Sequence, residues 1–217
     1  MQRYQPPMIA LALCLAALAG FVDALAYSSL GGYFAAFMSG NTTRLGVAFA
    51  AGRYDEVRMA GALILSFVAG VMIAAVIARR WPRHPKPATM AGVALLLGLA
   101  ATIMRFHPSS QGYLLLAVAM GAECGVNIGL AYVTGSLVRM GQSLAGALMG
   151  DADRWSWIRH LLLWLGFLLG VVTGARCYTA FDASALWLAA GGAGVLAIAM
   201  ATTSRPPNAG PWGPPSV

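Results

Sequence analysis

Four charged residues stand inside otherwise apolar sequence and are the ones whose types and spacing could do chemistry: Asp23, Arg44, Glu123 and Arg139. Each arginine closes a short polar run, Ser39-Gly40-Asn41-Thr42-Thr43-Arg44 in the first half and Thr134-Gly135-Ser136-Leu137-Val138-Arg139 in the second. A glycine followed by Asn41 or Ser136 reads as a chain break and then the N-cap of a half-helix, because Asn and Ser side chains accept from the free amides of a first turn. A helix N-terminus carries about half a positive charge, and this spacing puts both arginines at the third helical position, so positive charge accumulates there. In a medium of low dielectric such an end needs an anion, either a bound solute or a protein carboxylate. Asp23 and Glu123 are the two acids inside apolar segments, so the expected pairs are Asp23 with Arg44 and Glu123 with Arg139.

Two readings of these residues stand side by side. In one, the pairs pin each half-helix to its neighbour and nothing more. In the other, Ser39, Gly40, Asn41, Thr42, Arg44, Thr134, Gly135, Ser136 and Arg139 form a central site for an anionic or zwitterionic solute, with Asp23 and Glu123 as charge partners or proton relays. Thr43, Asn127 and Gln142 add hydrogen-bonding capacity, although a lone Ser or Thr most often bonds back to a carbonyl of its own helix.

The elements that must position these groups follow from composition. The chain has 217 residues, 59% hydrophobic and 10% charged, with a mean hydropathy of +0.71, against about 25% charged in ordinary globular domains. The net charge of +7 comes from basic residues scattered at the ends of apolar blocks rather than gathered into a stripe. That distribution fits membrane topology and excludes a nucleic-acid partner. Cys14, Cys124 and Cys177 lack metal-type spacing and read as buried reduced thiols, and the three histidines are unclustered. No His-Glu-x-x-His, Gly-x-Ser-x-Gly or Cys/His cluster is present, so we expect neither a cofactor nor an enzyme.

Apolar blocks at 8–28, 57–79, 88–104, 112–131, 158–178 and 184–202 each approach the ~20 residues that cross a bilayer core. Residues 1–20 imitate a secretory signal, but apolar sequence runs on past them and they read as the first transmembrane helix. Two further stretches, 33–51 and 133–149, carry the polar runs and read as broken or re-entrant helices.

Their similarity extends outward. Gly20-Phe21-Val22-Asp23 faces Gly121-Ala122-Glu123-Cys124, and Phe67-Val68-Ala69-Gly70-Val71 faces Phe167-Leu168-Leu169-Gly170-Val171. The chain therefore reads as one membrane domain, residues 1–217, made of a repeat at 8–105 and a second at 112–203, ending in a disordered Pro/Gly-rich tail at 204–217. Six crossings divide the basic residues nine against five, as does a seven-span alternative, whereas eight divide them seven and seven. With three spans per copy the second repeat is inverted relative to the first. The expected fold is all-α and integral to the membrane, with about six transmembrane helices plus two broken or re-entrant ones. Gly70-x-x-x-Ala74, Gly170-x-x-x-Gly174 and the glycines at 191, 192 and 194 suit close helix packing within the protein, which is favoured over a homo-oligomer interface.

The segment Gly20-Phe21-Val22-Asp23-Ala24 followed by Met38-Ser39-Gly40-Asn41-Thr42-Thr43-Arg44-Leu45-Gly46 resembles the signature of the YoaK-like family of bacterial membrane proteins, and Val133-Thr134-Gly135-Ser136-Leu137-Val138-Arg139 resembles its second marker. The sequence departs from that pattern at Gly121-Ala122-Glu123-Cys124-Gly125, where the family usually has Gly-Leu-Gln-Asn-Ala. The resemblance implies a multi-pass protein of the bacterial inner membrane and lends no substrate. Inverted repeats with polar-tipped broken helices point to a small-solute transporter, with a channel or a non-transporting scaffold as the alternative.

Overall fold

Apolar runs punctuated by glycine and proline set the helices. The computed structural model describes residues 6–82, 84–106, 110–125, 133–150 and 155–203. The expectations for Asn127, His107 and the tail at 204–217 lie outside these residues. Among the described residues the elements are α1 (Pro6–Ser29), α2 (Met38–Ala50), α3 (Tyr54–Arg80), α4 (Pro85–Phe106), α5 (Ser110–Gly125), α6 (Val133–Leu148), α7 (Ser156–Phe181) and α8 (Leu186–Thr203), with a 3-10 turn, Asp182–Ala185, between the last two.

α1 opens on two prolines, which a first turn accepts because its N–H groups lack helical partners. It stops at Ser29, whose hydroxyl donates to the Leu25 carbonyl at 2.6 Å, just ahead of Gly31 (φ 66°) and Gly32 (φ 95°). Those left-handed conformations turn the chain out of the helix at little cost only because both residues are glycine. α3 carries Asp55 and Glu56 in its first turn and Arg79 and Arg80 in its last, each complementing the helix dipole.

Among the described residues four segments are long and apolar enough to cross a membrane: Ile9–Ser29, Tyr54–Arg80, Pro85–Phe106 and the joined α7 and α8, Ser156–Thr203. α2, with 13 residues, rises only about 20 Å against a hydrocarbon core of about 30 Å. Large apolar side chains such as Leu65, Met72, Val76, Leu95, Val195 and Ile198 face outward, as lipid contact requires and water would penalise. The fold is that of an all-α membrane protein.

Two crossings organise the interior. Gly166, Gly170 and Gly174 of α7 lie against Leu13, Ala17 and Phe21 of α1 in that order, so the two helices run parallel. Gly121 and Gly125 of α5 meet Phe67 and then Val71 and Ala74 of α3, also in parallel. A Cβ at Gly170 would overlap the Ala17 carbonyl oxygen and one at Gly20 that of Phe167; likewise a Cβ at Gly70 would overlap the Val118 oxygen and one at Gly121 that of Phe67. Backbones approach this closely only where the side chain is a hydrogen atom, and the gain is dispersion and Cα–H···O contact along the crossing.

The packing role expected for the glycines at 191, 192 and 194 is corrected: a Cβ at any of them meets open space. α8 instead buries Leu186, Ala189, Ala193, Ala197 and Met200, one stripe at helical spacing, beside the α4 stripe Met90, Val93, Leu97, Ala100 and Met104. Sequence identifies small residues but not which face they occupy. α1 lies at the centre, with 61% of its most apolar window buried against 22% for α3. Of the cysteines, Cys14 is exposed rather than buried, on an apolar groove among α1, α7 and α8.

Candidate functional site

Between α1 and α2 the chain doubles back. The backbone N–H groups of Ala35 and Ala36 donate to Asp23 Oδ1 at 2.8 and 2.6 Å. Asp23 precedes the end of α1 by six residues, about 9 Å along the axis, so the link has returned that far beside α1 before α2 starts. Asp23 is 3% exposed, and its Oδ2 is buried without a hydrogen-bond partner among the described residues.

Asn41 fastens the link. Its amide accepts from the Phe34 N–H at 3.0 Å and donates to the Phe34 carbonyl at 2.7 Å, and the residue is fully buried. Gly40 leaves room for the aromatic pair below it: a Cβ there would stand 2.6 Å from Phe37 and 2.8 Å from Phe34, whose rings meet edge to face at 5.2 Å. The expected N-cap is thus corrected. α2 begins at Met38, its cap position is Phe37 with no side-chain cap bond, and Asn41 sits inside the first turns. The amide of Asn41 finds two backbone partners in the link, which outweigh the one it would gain as a cap. In the second half the same correction holds, since Ser136 lies inside α6 rather than at a cap position.

Arg44 follows Asn41 by three residues and so shares its face of α2. Its Nη1 donates to the Gly32 carbonyl at 3.1 Å, and the guanidinium lies 4.1 Å from the centroid of the Tyr33 ring. The expected ion pair with Asp23 is not formed, because link amides occupy one oxygen of Asp23 while the Tyr33 face and the Gly32 carbonyl hold the arginine. Nor does Glu123 pair with Arg139. Glu123 is buried, with its Oε2 3.6 Å from the Cys124 thiol, whereas Arg139 is exposed and close enough to His160 for its charge to act there. Among the described residues the ion pairs are Arg53 with Glu56 at 3.0 Å and Arg58 with Asp55, both at the start of α3.

Of the remaining predicted site residues, Thr42 and Thr43 are exposed and donate back to the Met38 and Ser39 carbonyls at 2.9 and 3.1 Å. Ser39 is exposed, Gly135 half-buried and Ser136 buried. Asp23 and Thr134, by contrast, come together. They line a cavity of about 480 Å³, in which α1 also supplies Tyr27 and Ser28, and the link supplies Phe34 and Phe37. α6 contributes its first two residues, Val133 and Thr134, and α7 closes the far wall with Phe167, Val171 and Ala175.

The link before α2 and the residues Val133 and Thr134 of α6 therefore face one space, and neither Arg44 nor Arg139 is among its described lining residues. The residues that sequence reasoning missed are the aromatic ones. The signal was there in Tyr27, Phe34 and Phe37 flanking the first break; Phe34 is half-buried, while Tyr27 and Phe37 line the cavity and remain 53% and 40% exposed. Glu123 lies near enough to feel the charge of Asp23, so two buried carboxyl groups share the interior.

Long apolar helices with outward apolar faces around a buried polar centre define the class, an all-α membrane protein. The sequence profile described as "Protein of unknown function (DUF1275)" matches residues 11–199, and the chain belongs to that family. It is similar to the UPF0700 transmembrane protein RA0705 of Rhizobium meliloti (strain 1021), 34% identical over 191 residues, covering 83% of this chain and 80% of the relative. It is also similar to the UPF0700 transmembrane protein YoaK of Bacillus subtilis (strain 168), 28% identical over 167 residues, covering 70% and 72%. The YoaK-like resemblance carried by the two motifs is borne out. No solved structure matches the chain.

Proposed function

We propose that the protein is a small-solute transporter of the bacterial inner membrane, built from two inverted repeats that cross the bilayer six times with α2 and α6 as re-entrant half-helices. The observation that carries this reading is the cavity itself, where the link before α2, Val133 and Thr134 of α6 and the buried Asp23 meet. Irregular backbone at membrane depth is tolerated where it is buried in protein or lines a cavity, and transporters place their sites at such breaks.

The repeat reading draws support from reciprocal packing. The first long helix of each half lies parallel to the second long helix of the other, and Gly20 and Gly170 at one crossing match Gly121 and Gly70 at the other. A swap of this kind gives two equivalent seams along which one half could rock against the other, as alternating access needs. Arg44 belongs to the scaffold of this device and Arg139 to its surface, and the solute meets Asp23, Thr134 and the aromatic walls.

The test uses Thr134→Cys in a protein whose three native cysteines are alanine, reconstituted in liposomes and exposed to a charged, impermeant maleimide from one side and then the other. A transporter gives labelling from both sides, with the two rates shifting in opposite directions when solute is added. Labelling from one side only, or none, makes a scaffold the better account, and two-sided labelling accompanied by ion conductance makes it a channel.

A further inference from the structure

The cavity differs in chemistry from what the paired arginines led us to expect of it. Its described walls carry one carboxylate, that of Asp23, two hydroxyls, those of Ser28 and Thr134, and aromatic rings at Tyr27, Phe34, Phe37 and Phe167. No basic residue is among them. Asp23 Oδ1 accepts from the Ala35 and Ala36 amides and the Phe37 amide stands close by, while Oδ2 is buried and has no hydrogen-bond partner among the described residues. An unsatisfied carboxylate oxygen in low dielectric is costly and calls for a donor, above all a charged one. Glu123 stands within electrostatic reach and has no ion-pair partner among the described residues, and the nearby cation, Arg44, is turned to the Gly32 carbonyl and the Tyr33 ring rather than to either acid.

We infer that the cavity binds the ammonium group of an organic amine, with an N–H of the ligand donating to Asp23 Oδ2 and the rings of Phe34, Phe37 and Tyr27 facing its cationic and apolar parts. This deepens the transporter reading and rests on it for the role of the cavity. Aromatic faces attract cations through their quadrupole, and the rings stand at the open side of the cavity above the buried Asp23. A bare metal ion fits poorly, since hard cations ask for six or more oxygens and the described residues hold no cluster of three or more candidate ligands. An anion would meet Asp23 with no basic residue among the described lining residues. The ammonium group could be carried by a free amine or by a phosphatidylethanolamine headgroup, and the chemistry at Asp23 is the same for both.

Three probes of one shape distinguish charge from fit: 2-phenylethylammonium, 2-phenylethanol and 3-phenylpropanoate, each titrated against the thermal midpoint of the full chain in detergent. The ammonium is expected to raise the midpoint at concentrations at least tenfold below those needed for the alcohol, and the carboxylate to leave it unchanged. Asp23→Asn keeps an oxygen for the Ala35 and Ala36 amides and should abolish the ammonium effect. Should that variant not accumulate, Phe37→Leu, at a half-exposed ring, is expected to weaken the ammonium about fivefold, equivalent to ~1 kcal/mol of cation–π interaction. Mass spectrometry of the purified protein covers the lipid source: retained phosphatidylethanolamine that competes with the ammonium probe assigns the group to a headgroup, and competition by other free amines but not by phosphatidylethanolamine assigns it to a free solute.

An equal or larger shift with 3-phenylpropanoate, no shift with any probe, or an ammonium shift that survives both Asp23→Asn and Phe37→Leu overturns the inference. The maleimide experiment is independent of these outcomes. Two-sided labelling at Thr134→Cys with no ammonium effect leaves a transporter of another solute class, whereas an ammonium effect with one-sided labelling leaves an amine-binding protein that does not transport.

Discussion

The two halves of the chain begin from nearly the same sequence device and use it differently. In the first, α1, the link and α2 are locked together by polar contacts: Asp23 on the Ala35 and Ala36 amides, Asn41 on both sides of the Phe34 peptide, and Arg44 on Gly32 and Tyr33. In the second, Ser136 is buried but Arg139 points outward, and α6 offers Val133 and Thr134 to the cavity. A similar motif thus accompanies a short helix in each half, while its polar side chains become clamps in the first and its arginine stays at the surface in the second. What the halves do share energetically is the glycine crossing.

That comparison can be broken most forcefully at the crossings. Gly70→Ala and Gly170→Ala should each destabilise the protein by about 3 kcal/mol or more, because the new methyl meets backbone that cannot retreat, and the two costs should be alike. Gly191→Ala, in open space, should be neutral or stabilising by about 0.5 kcal/mol. Reversible unfolding in mixed micelles measures all three, and a tolerated Gly70→Ala would show that the seams are not equivalent.

Next in size is the clamp. Asn41→Ala removes two hydrogen bonds from a buried peptide and should cost about 2 to 3 kcal/mol, against less than about 1 kcal/mol for Ser136→Ala. Equal losses in the same unfolding assay would mean that Ser136 also holds a link. For the arginines, Arg44→Ala should cost about 1 to 2 kcal/mol through the lost cation–π contact and carbonyl bond, and Arg139→Ala, at an exposed position, under about 0.5 kcal/mol. A larger loss at Arg139 would restore the symmetrical picture that the motif alone suggests. Smallest of all, Thr42→Val and Thr43→Val remove only exposed bonds back to their own helix and should stay within about 0.5 kcal/mol of wild type.

The segments at 57–79, 88–104 and 158–178 were legible in the sequence because lipid imposes a run length on any helix that crosses it, and α3, α4 and α7 extend each by only a few residues. The short helices were legible as well, since polar residues inside apolar sequence must either break the span or be buried. Their starting points were not. Asn41 and Ser136 look like caps in sequence, yet a cap competes with any backbone group that folding brings near, and the returning link brought Phe34 to Asn41.

Pairing Asp23 with Arg44 rested on charge alone and assumed that no other donor would reach the carboxylate. The amides of Ala35 and Ala36 did, from twelve and thirteen residues away.

By itself, then, the sequence determined that this chain lives in a membrane, that its helices are long, apolar and twice interrupted, and that its charged interior residues are few. Those properties follow from local composition and from the thickness and polarity of the solvent. Only the tertiary structure decided which acid keeps an oxygen free, which arginine is consumed by the scaffold, and that three aromatic residues beside a break become the walls of a cavity. Such outcomes depend on which backbone groups arrive beside a side chain once the chain doubles back, and no spacing within a single segment carries that information.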